Sequence, residues 1–556
     1  MNVVPGLALL RGQRGPGLRR DVITGVVLAA LLVPQGMGYA AVAGLPPVTG
    51  LYATLVPLLV YFLLGASRIL VLGPDSAVCP LVAAAIVPLA AHDSSERIAL
   101  AGLLAIGVGA LMLAGGLARF GFVTELLSVP VRLGYLMGIA VTVIVDQLPK
   151  LFGFSIETES LIRSASDFLS GLDQTDGAAL ALGAGTLVTI AGLRRVARRV
   201  PGVLIGVVSA TAIVAVLGLE VPIVGDVPAG LPAIGLPDAS LSDLKTLLPA
   251  AVGIAFVAFA DTSVLSRSYA SRLHQDVDQN RELAVLGLAN LATGFAQGFP
   301  VSSSASRTAV AEDAGARTQI SGLTGALVLA LLLVAGTGLV HDLPLSALAA
   351  VVIVAVAGLI DIPALRRLYR WRPSEFALAL LTFAGVALLG LLWGIGVAIT
   401  LSLLNFIRRA WYPHDAVLAR VDQLKGYHDT KRYPGGRQVP GLVLYRFDAP
   451  LFFANADLFR ARILRLAKDA GRIVVAAEPI TDIDATAGEM LGTLIDELRG
   501  RGVDLAFAEL KDPVRDLLRR YGIEPRTYPT LGVAVAAYVR DSGVDWHDWE
   551  EEAAAR

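Results

Sequence analysis

The sequence predicts an α-helical polytopic membrane protein of about fourteen segments, arranged as a 7+7 inverted repeat and followed by a small α/β domain. Three observations carry that prediction. Hydrophobic residues make up 55% of the 556 and charged residues only 17%, where soluble domains have about 45–50% and about 25%. Mean hydropathy is +0.66. The charges are also segregated: no Asp, Glu, Lys or Arg occurs between Val22 and Ser67, room for two spans of roughly 20 apolar residues each. Beyond Arg409 the pattern changes to short β-branched runs alternating with amphipathic stretches.

Residues 1–20 read as a cytoplasmic tail, because Arg11, Arg14, Arg19 and Arg20 follow a short apolar run, the reverse of the order in a cleaved signal peptide. Repeat one covers about 21–219. After its first two spans come apolar blocks at about Ile69–Ala91, Arg97–Ala118, Val131–Leu148, Ala178–Leu193 and Val200–Leu219. Repeat two, about 243–410, runs through Thr246–Ser263, Leu283–Gln297, Ser302–Ala314, Ser321–Val340, Leu345–Leu359, Phe376–Leu389 and Leu391–Ile407. Threading these with the N-terminus inside puts Arg68, Arg119, Arg194, Arg195, Arg198, Arg199, Arg317, Arg408 and Arg409 on one side. The opposite loops carry His92, Asp93, Glu157, Glu159, Asp226 and Asp238. This asymmetry follows the positive-inside rule and orients the chain in the cell membrane.

Residues 411–438, with Pro413, Pro434, Gly435 and Gly436, read as a linker. The α/β domain is expected at 439–541, in the cytoplasm. Its strands are Leu442–Phe447, Arg472–Ala477, Val503–Ala508 and Val533–Val539, alternating with helices at Asp457–Lys468, Ala485–Leu498 and Val514–Arg520. Residues 542–556 form an acidic, frayed tail.

Composition excludes several functions. A net charge of −1 offers no footprint for nucleic acid. Cys79 is the only cysteine, so no intrachain disulfide forms. The six histidines have no metal-ligand spacing, and neither a phosphate-binding glycine loop nor a nucleophile elbow is present. Neither an enzyme nor a structural metal site is expected, and no cofactor beyond a coupling ion.

Two interruptions mark the place where a substrate binds. Gly73-Pro74-Asp75-Ser76 opens one short apolar segment and Gly298-Phe299-Pro300-Val301-Ser302 opens another. They lie about 226 residues apart, the spacing that also relates the Pro34-Gln35-Gly36 break to Asp261, as two copies of one unit require. A helix that starts inside the bilayer presents unpaired backbone N–H groups and about half a positive charge. Two such starts facing each other make an anion site. Arg307 adds a third positive element at a depth where a charge costs at least about 2.5–3.5 kcal/mol if unpaired; the competing reading is a side chain snorkelling to the interface. Ser302, Ser303, Ser304 and Ser306 suit helix capping and oxyanion binding alike. Asp261 ends a long apolar run, as a proton carrier, as a sodium ligand, or as the fixed partner of Arg267 or Arg307.

Several segments resemble the sulfate permease (SulP) family of anion transporters. They are Leu32–Ala40 (LVPQGMGYA) with Gly44–Tyr52 (GLPPVTGLY), Asp261–Ala270 (DTSVLSRSYA) with Asn280–Asn290 (NRELAVLGLAN), and Pro300–Val310. Tyr445–Ala456 (YRFDAPLFFANA) is similar to the opening of that family's C-terminal STAS domain. The resemblance implies a fourteen-segment inverted repeat divided into core and gate domains, elevator-like motion and a homodimer. It places Gln35 and Tyr39 at the anion from the first helix, Ser76 and Ala77 from the third, and Ser304, Ser306 and Arg307 from the tenth, with Asp261 as the coupling residue.

Two positions depart from the family pattern. Asp75 at the start of the third helix competes with an anion unless it caps the helix pointing away or is protonated. In place of the Asp-Ser-Ser-Gly turn of related regulatory domains the chain has Asp484-Ala485-Thr486-Ala487-Gly488, leaving Thr486 as the remaining regulatory hydroxyl, with a packing and dimer-regulating role for the domain as the alternative to a phosphoswitch. The expected function is proton-coupled uptake of sulfate or a similar oxyanion. Sodium-coupled bicarbonate uptake, with Asp261 at the sodium, and a non-transporting sensor signalling through STAS are the alternatives.

Overall fold

The computed structural model describes residues 16–90, 93–122, 128–156, 161–196, 202–272, 276–389 and 391–547, in two compact units, Met1–Ser402 and Leu403–Arg556. Arg11, Arg14, His92, Glu157, Glu159, Arg198, Arg199, His274 and residues 548–556 lie outside the described residues, as does the side chain of Ser306.

The first unit consists of α1 (Pro16–Val42), α2 (Pro47–Leu64), β1 (Leu72–Gly73), α3 (Cys79–Ile86), α4 (Ser94–Leu117), α5 (Val129–Leu151), α6 (Leu161–Ser170), α7 (Gly177–Val196) and α8 (Gly202–Leu217). It continues with α9 (Leu241–Arg272), α10 (Gln279–Phe295), β2 (Ser302–Ser303), α11 (Ala305–Ala314), α12 (Ile320–Ala335), α13 (Leu345–Ala357), α14 (Ile362–Trp371), α15 (Pro373–Leu389) and the first half of α16 (Leu391–Trp411), whose last turns are counted with the second unit. Setting aside the short α6 and α14, this is seven segments per half. In each half the third is an extended entry plus a short helix, and the amphipathic helix follows the fifth.

Packing repeats the correspondence. Helix α1 packs on α12 and its counterpart α9 on α4; α5 packs on α15 and α13 on α7. Each contact thus has a mate in which the two halves exchange roles, the mark of an inverted repeat. Helices α1, α2, α4, α9, α10 and α12 cluster together, and α5, α7, α8, α13 and α15 cluster together. These are the two groups that the core and gate division anticipates.

Small residues set the closest approach. Gly102, Gly109 and Gly116 form one stripe on α4, seven residues apart, and meet Gly294, Gly287 and Ala284 of α10. A β-carbon on Gly109 would come within 2.7 Å of the Gly287 carbonyl oxygen, and one on Gly287 within 2.8 Å of the Gly109 oxygen. Only glycine lets these backbones touch, and within lipid such contact substitutes for a hydrophobic driving force.

The second unit is a six-stranded sheet, β4-β3-β5-β6-β7-β8, built from β3 (Asp415–Arg420), β4 (Tyr427–Asp429), β5 (Leu442–Phe447), β6 (Arg472–Ala476), β7 (Asp504–Ala508) and β8 (Arg526–Tyr528). Strands β5 to β8 are parallel, while β3 runs antiparallel to β4 and β5. Alternation along the strands sends Ile473, Val475 and Phe507 toward α17 (Ala456–Leu466), α18 (Ala485–Gly500) and α19 (Asp512–Arg520). The intervening Val474, Ala476 and Ala506 face α20 (Leu531–Ser542).

Three expectations for this unit are corrected. Residues 411–438 are not a plain linker: Ala416 and Leu418 alternate inward on β3, a strand signal masked by the flanking prolines and glycines. Val533–Val539 is helical. Thr530 caps α20 by accepting from the Val533 N–H, Gly543 closes it in the left-handed conformation, and Ala534, Val535, Tyr538 and Val539 recur at helical spacing on one face. The tail is docked at its start, where the Arg437 guanidinium lies 5.3 Å from the Trp546 ring centre and donates to the His547 carbonyl at 3.1 Å.

Candidate functional site

The two interruptions meet. β1 and β2 pair antiparallel, Leu72 with Ser303 and Gly73 with Ser302, and the Ser304 N–H donates to the Val71 carbonyl at 3.1 Å. The chain leaves this crossing in opposite directions into α3 and α11, so both short helices start beside it. Neighbouring helices hold the crossing by side-chain bonds to its backbone. The Ser303 N–H donates to Thr262 Oγ1 of α9 (3.2 Å) and the Val71 N–H to Thr308 Oγ1 of α11 (3.1 Å). Asn290 of α10 clamps Val301, Nδ2 donating to its carbonyl at 3.1 Å while Oδ1 accepts from its N–H at 2.8 Å.

Arg307, in the first turn of α11, is fully buried, and its Nε, Nη1 and Nη2 have no hydrogen-bond partner. Snorkelling to the interface is thereby excluded. Five N–H donors in a planar fork, buried without acceptors, are the complement of an oxyanion. Gly73 makes room for the group: at φ 151 it adopts a backbone that side-chain-bearing residues avoid, and a β-carbon there would lie 2.7 Å from Nη1.

The other expected residues gather here from separate elements. Gln35 and Tyr39 of α1 are buried, with Gln35 Oε1 unpartnered. Ser76 and Ala77 are buried at the approach to α3, and Ser304, also buried, occupies the N-cap position of α11 without a side-chain bond to the helix backbone. Tyr39 and Arg307 lie within electrostatic reach of one another. The N-cap of α3 is Val78, with no side-chain cap; Asp75 instead closes the turn just before the helix, Oδ2 accepting from the Ala77 N–H at 3.1 Å. It does not, however, point away, since it lies within electrostatic reach of Arg307 and Tyr39.

Asp261 of α9 is half-buried, and its charged neighbours are Asp75 and Arg132 rather than Arg267. Arg267 donates instead to Ser263 Oγ at 3.0 Å. Sequence reasoning missed two residues of α5, Arg132 and Tyr135. The Tyr135 hydroxyl is buried, unpartnered and within electrostatic reach of Asp261 and Asp75. A lone aromatic in an apolar helix carries no signal that it faces a site. Among the described residues no cluster of His, Cys, Asp and Glu able to hold a metal ion occurs. In the second unit Asp484 caps α18 through Oδ1 to the Ala487 N–H (2.8 Å), leaving Thr486 exposed in the first turn.

Residues 18–382 match the Sulfate permease family and residues 433–534 the STAS domain. A relative named "Probable sulfate transporter MT1781" from Mycobacterium tuberculosis (strain CDC 1551 / Oshkosh) is 42% identical over 96% of this chain and 98% of its own length. "Sulfate transporter 4.1, chloroplastic" from Arabidopsis thaliana is 31% identical over 90% and 77%. The solved structure of the murine Solute Carrier 26 family member A9 anion transporter in the inward-facing state shares the fold, with a TM-score of 0.89 at 23% identity over 96% of this chain and 93% of that one. With the paired interruptions, the buried arginine and the C-terminal sheet, these matches place the chain in the sulfate permease family.

Proposed function

We propose that the chain is a secondary active transporter for sulfate or a similar inorganic oxyanion, coupled to protons and working as a homodimer by elevator-like movement of the core group against the gate group. One observation carries the reading: the guanidinium of Arg307, buried without acceptors beside the starts of two half-helices. Two helix starts and one guanidinium amount to roughly +2, and an ionised Asp75 reduces this to about +1. A divalent anion and an ionised Asp75 repel each other, so a proton that enters with the anion, on Asp75 or on Asp261 nearby, removes the repulsion. Coupling then follows from charge balance in a cavity that excludes water. The family's named sulfate transporters and the acceptor-free guanidinium favour transport over the sensor reading and over enzymatic chemistry. The N-terminus and STAS domain face the cytoplasm in this reading, since the arginine-rich ends lie there, and Thr486 is the hydroxyl open to phosphorylation.

The test is uptake of labelled sulfate and labelled bicarbonate into proteoliposomes under imposed proton and sodium gradients. Sulfate uptake accelerated by an alkaline interior supports the proposal. Bicarbonate uptake that requires external sodium replaces it with the alternative, and Asp261 then becomes a sodium ligand.

A further inference from the structure

At the far end of α11 from Arg307 lies a second concentration of guanidinium groups. A cavity of about 460 Å³ is lined by Arg20, Arg68 and Arg317 with Ile69, Glu312 and Gly315. The three arginines come from three segments: α1, the approach to β1, and the turn between α11 and α12. Among the described residues no salt bridge within 4 Å engages any of the three.

The place is built rather than accidental. Asp21 ties two of the segments together, Oδ1 accepting from the Arg317 N–H at 2.8 Å and Oδ2 from Thr318 Oγ1 at 2.6 Å. Gly315 closes α11 at φ 100, and the Arg20 side chain lies where a β-carbon on Gly315 would be, its Nη2 only 2.7 Å from that position. The positive-inside rule explains arginines on this side of the membrane, and a helix C-terminus accounts for one cation. Neither explains three that converge on one cavity.

We propose that this cavity is a phosphate-binding site. Three guanidinium forks against Glu312 in the lining leave about +2, and the Asp21 carboxylate behind them lowers this toward about +1, matched to a phosphate group at about −1 to −2. A bound phosphate links α1, the entry to β1 and the end of α11, and so braces the outer ends of both interrupted segments. The phosphate comes either from the headgroup of an anionic phospholipid or from the aqueous phase, and the experiment separates the two.

The full-length chain is reconstituted in phosphatidylcholine nanodiscs, alone, with phosphatidate added, or with inorganic phosphate in the buffer. Thermal unfolding and the lipid retained in native mass spectrometry are then read. The background is Arg307→Ala, so occupancy of the transport cavity does not contribute and failure of the transport reading leaves this one standing. A raised midpoint with phosphatidate alone identifies the headgroup, and one with inorganic phosphate as well identifies the free ion. Arg20→Gln, Arg68→Gln and Arg317→Gln are each expected to weaken binding about fivefold, while Glu312→Gln strengthens it. The proposal is overturned if neither probe raises the midpoint, or if Arg68→Gln and Glu312→Gln both respond as their parent does.

Discussion

Gly73 sits directly against the guanidinium of Arg307: a β-carbon on Gly73 would come within 2.7 Å of Nη1. The two residues belong to different halves of the repeat, joined by the pairing of β1 with β2. Gly73→Ala therefore displaces the guanidinium or strains a φ of 151, a cost of about 1–3 kcal/mol. The variant is expected to remain monodisperse in detergent and to bind sulfate about tenfold more weakly or worse. Unaltered affinity by calorimetry would separate Arg307 from the anion.

Replacing Arg307 itself distinguishes charge from geometry. Lysine keeps the charge and loses the planar fork, and each charged hydrogen bond lost costs about 1.5–3 kcal/mol. Arg307→Lys is expected to raise the dissociation constant about ten- to a hundredfold, and Arg307→Ala to abolish measurable binding. Equal affinities in the two variants would mean that the fork plays no part.

Asp261→Asn removes a carboxylate that shares its surroundings with Asp75 and Arg132. Sulfate binding is expected to survive while the acceleration of uptake by an inside-alkaline gradient disappears. Proton-driven accumulation in proteoliposomes is the measurement, and gradient sensitivity retained at the wild-type level would transfer coupling to Asp75.

The Asn290 clamp on Val301 predicts a stability effect instead. Asn290→Leu keeps the volume but leaves the Val301 N–H and carbonyl without partners, at about 1–3 kcal/mol each. The thermal midpoint in detergent is expected to fall clearly, and no fall would show that the crossing holds without the clamp.

On the loops, His341 Nδ1 lies 2.7 Å from Asp342 Oδ1 and Nε2 lies 3.6 Å from Asp226. The hydrogen bond to Asp342 raises the imidazole above its ordinary range. A raised folded value means that the contribution is fully present below about pH 6.5 and is lost as the pH rises through the raised value. The protection factor of the Gly225 N–H, which donates to the His341 carbonyl at 3.0 Å, is expected to fall across that window. His341→Gln should flatten the change, and a pH response that persists in it points to another group.

Much of this was legible along the chain. Segment number, the repeat and its two interruptions follow from apolar lengths, glycine and proline positions and charge asymmetry, because lipid imposes length and backbone pairing on every span. Arg307 was legible because a charge at depth is costly. In the second unit β5, β6 and β7 were legible as short β-branched runs. β3 is hidden by its flanking prolines, and α20 reads as a strand because Val533, Val535 and Val539 suit either period when caps are ignored.

What the sequence alone determined is local: which stretches enter the membrane, where their helices break, and which side chains must have a reason to be there. Tertiary structure decided the rest: that Gly73 meets Arg307, that Asp75 stays beside it, that Arg132 and Tyr135 approach Asp261, and that three distant arginines share a cavity. The reason is physical. Hydropathy and dihedral preferences act within a few residues, whereas the surroundings of a charge are set by whichever segments the packing of two inverted halves brings together.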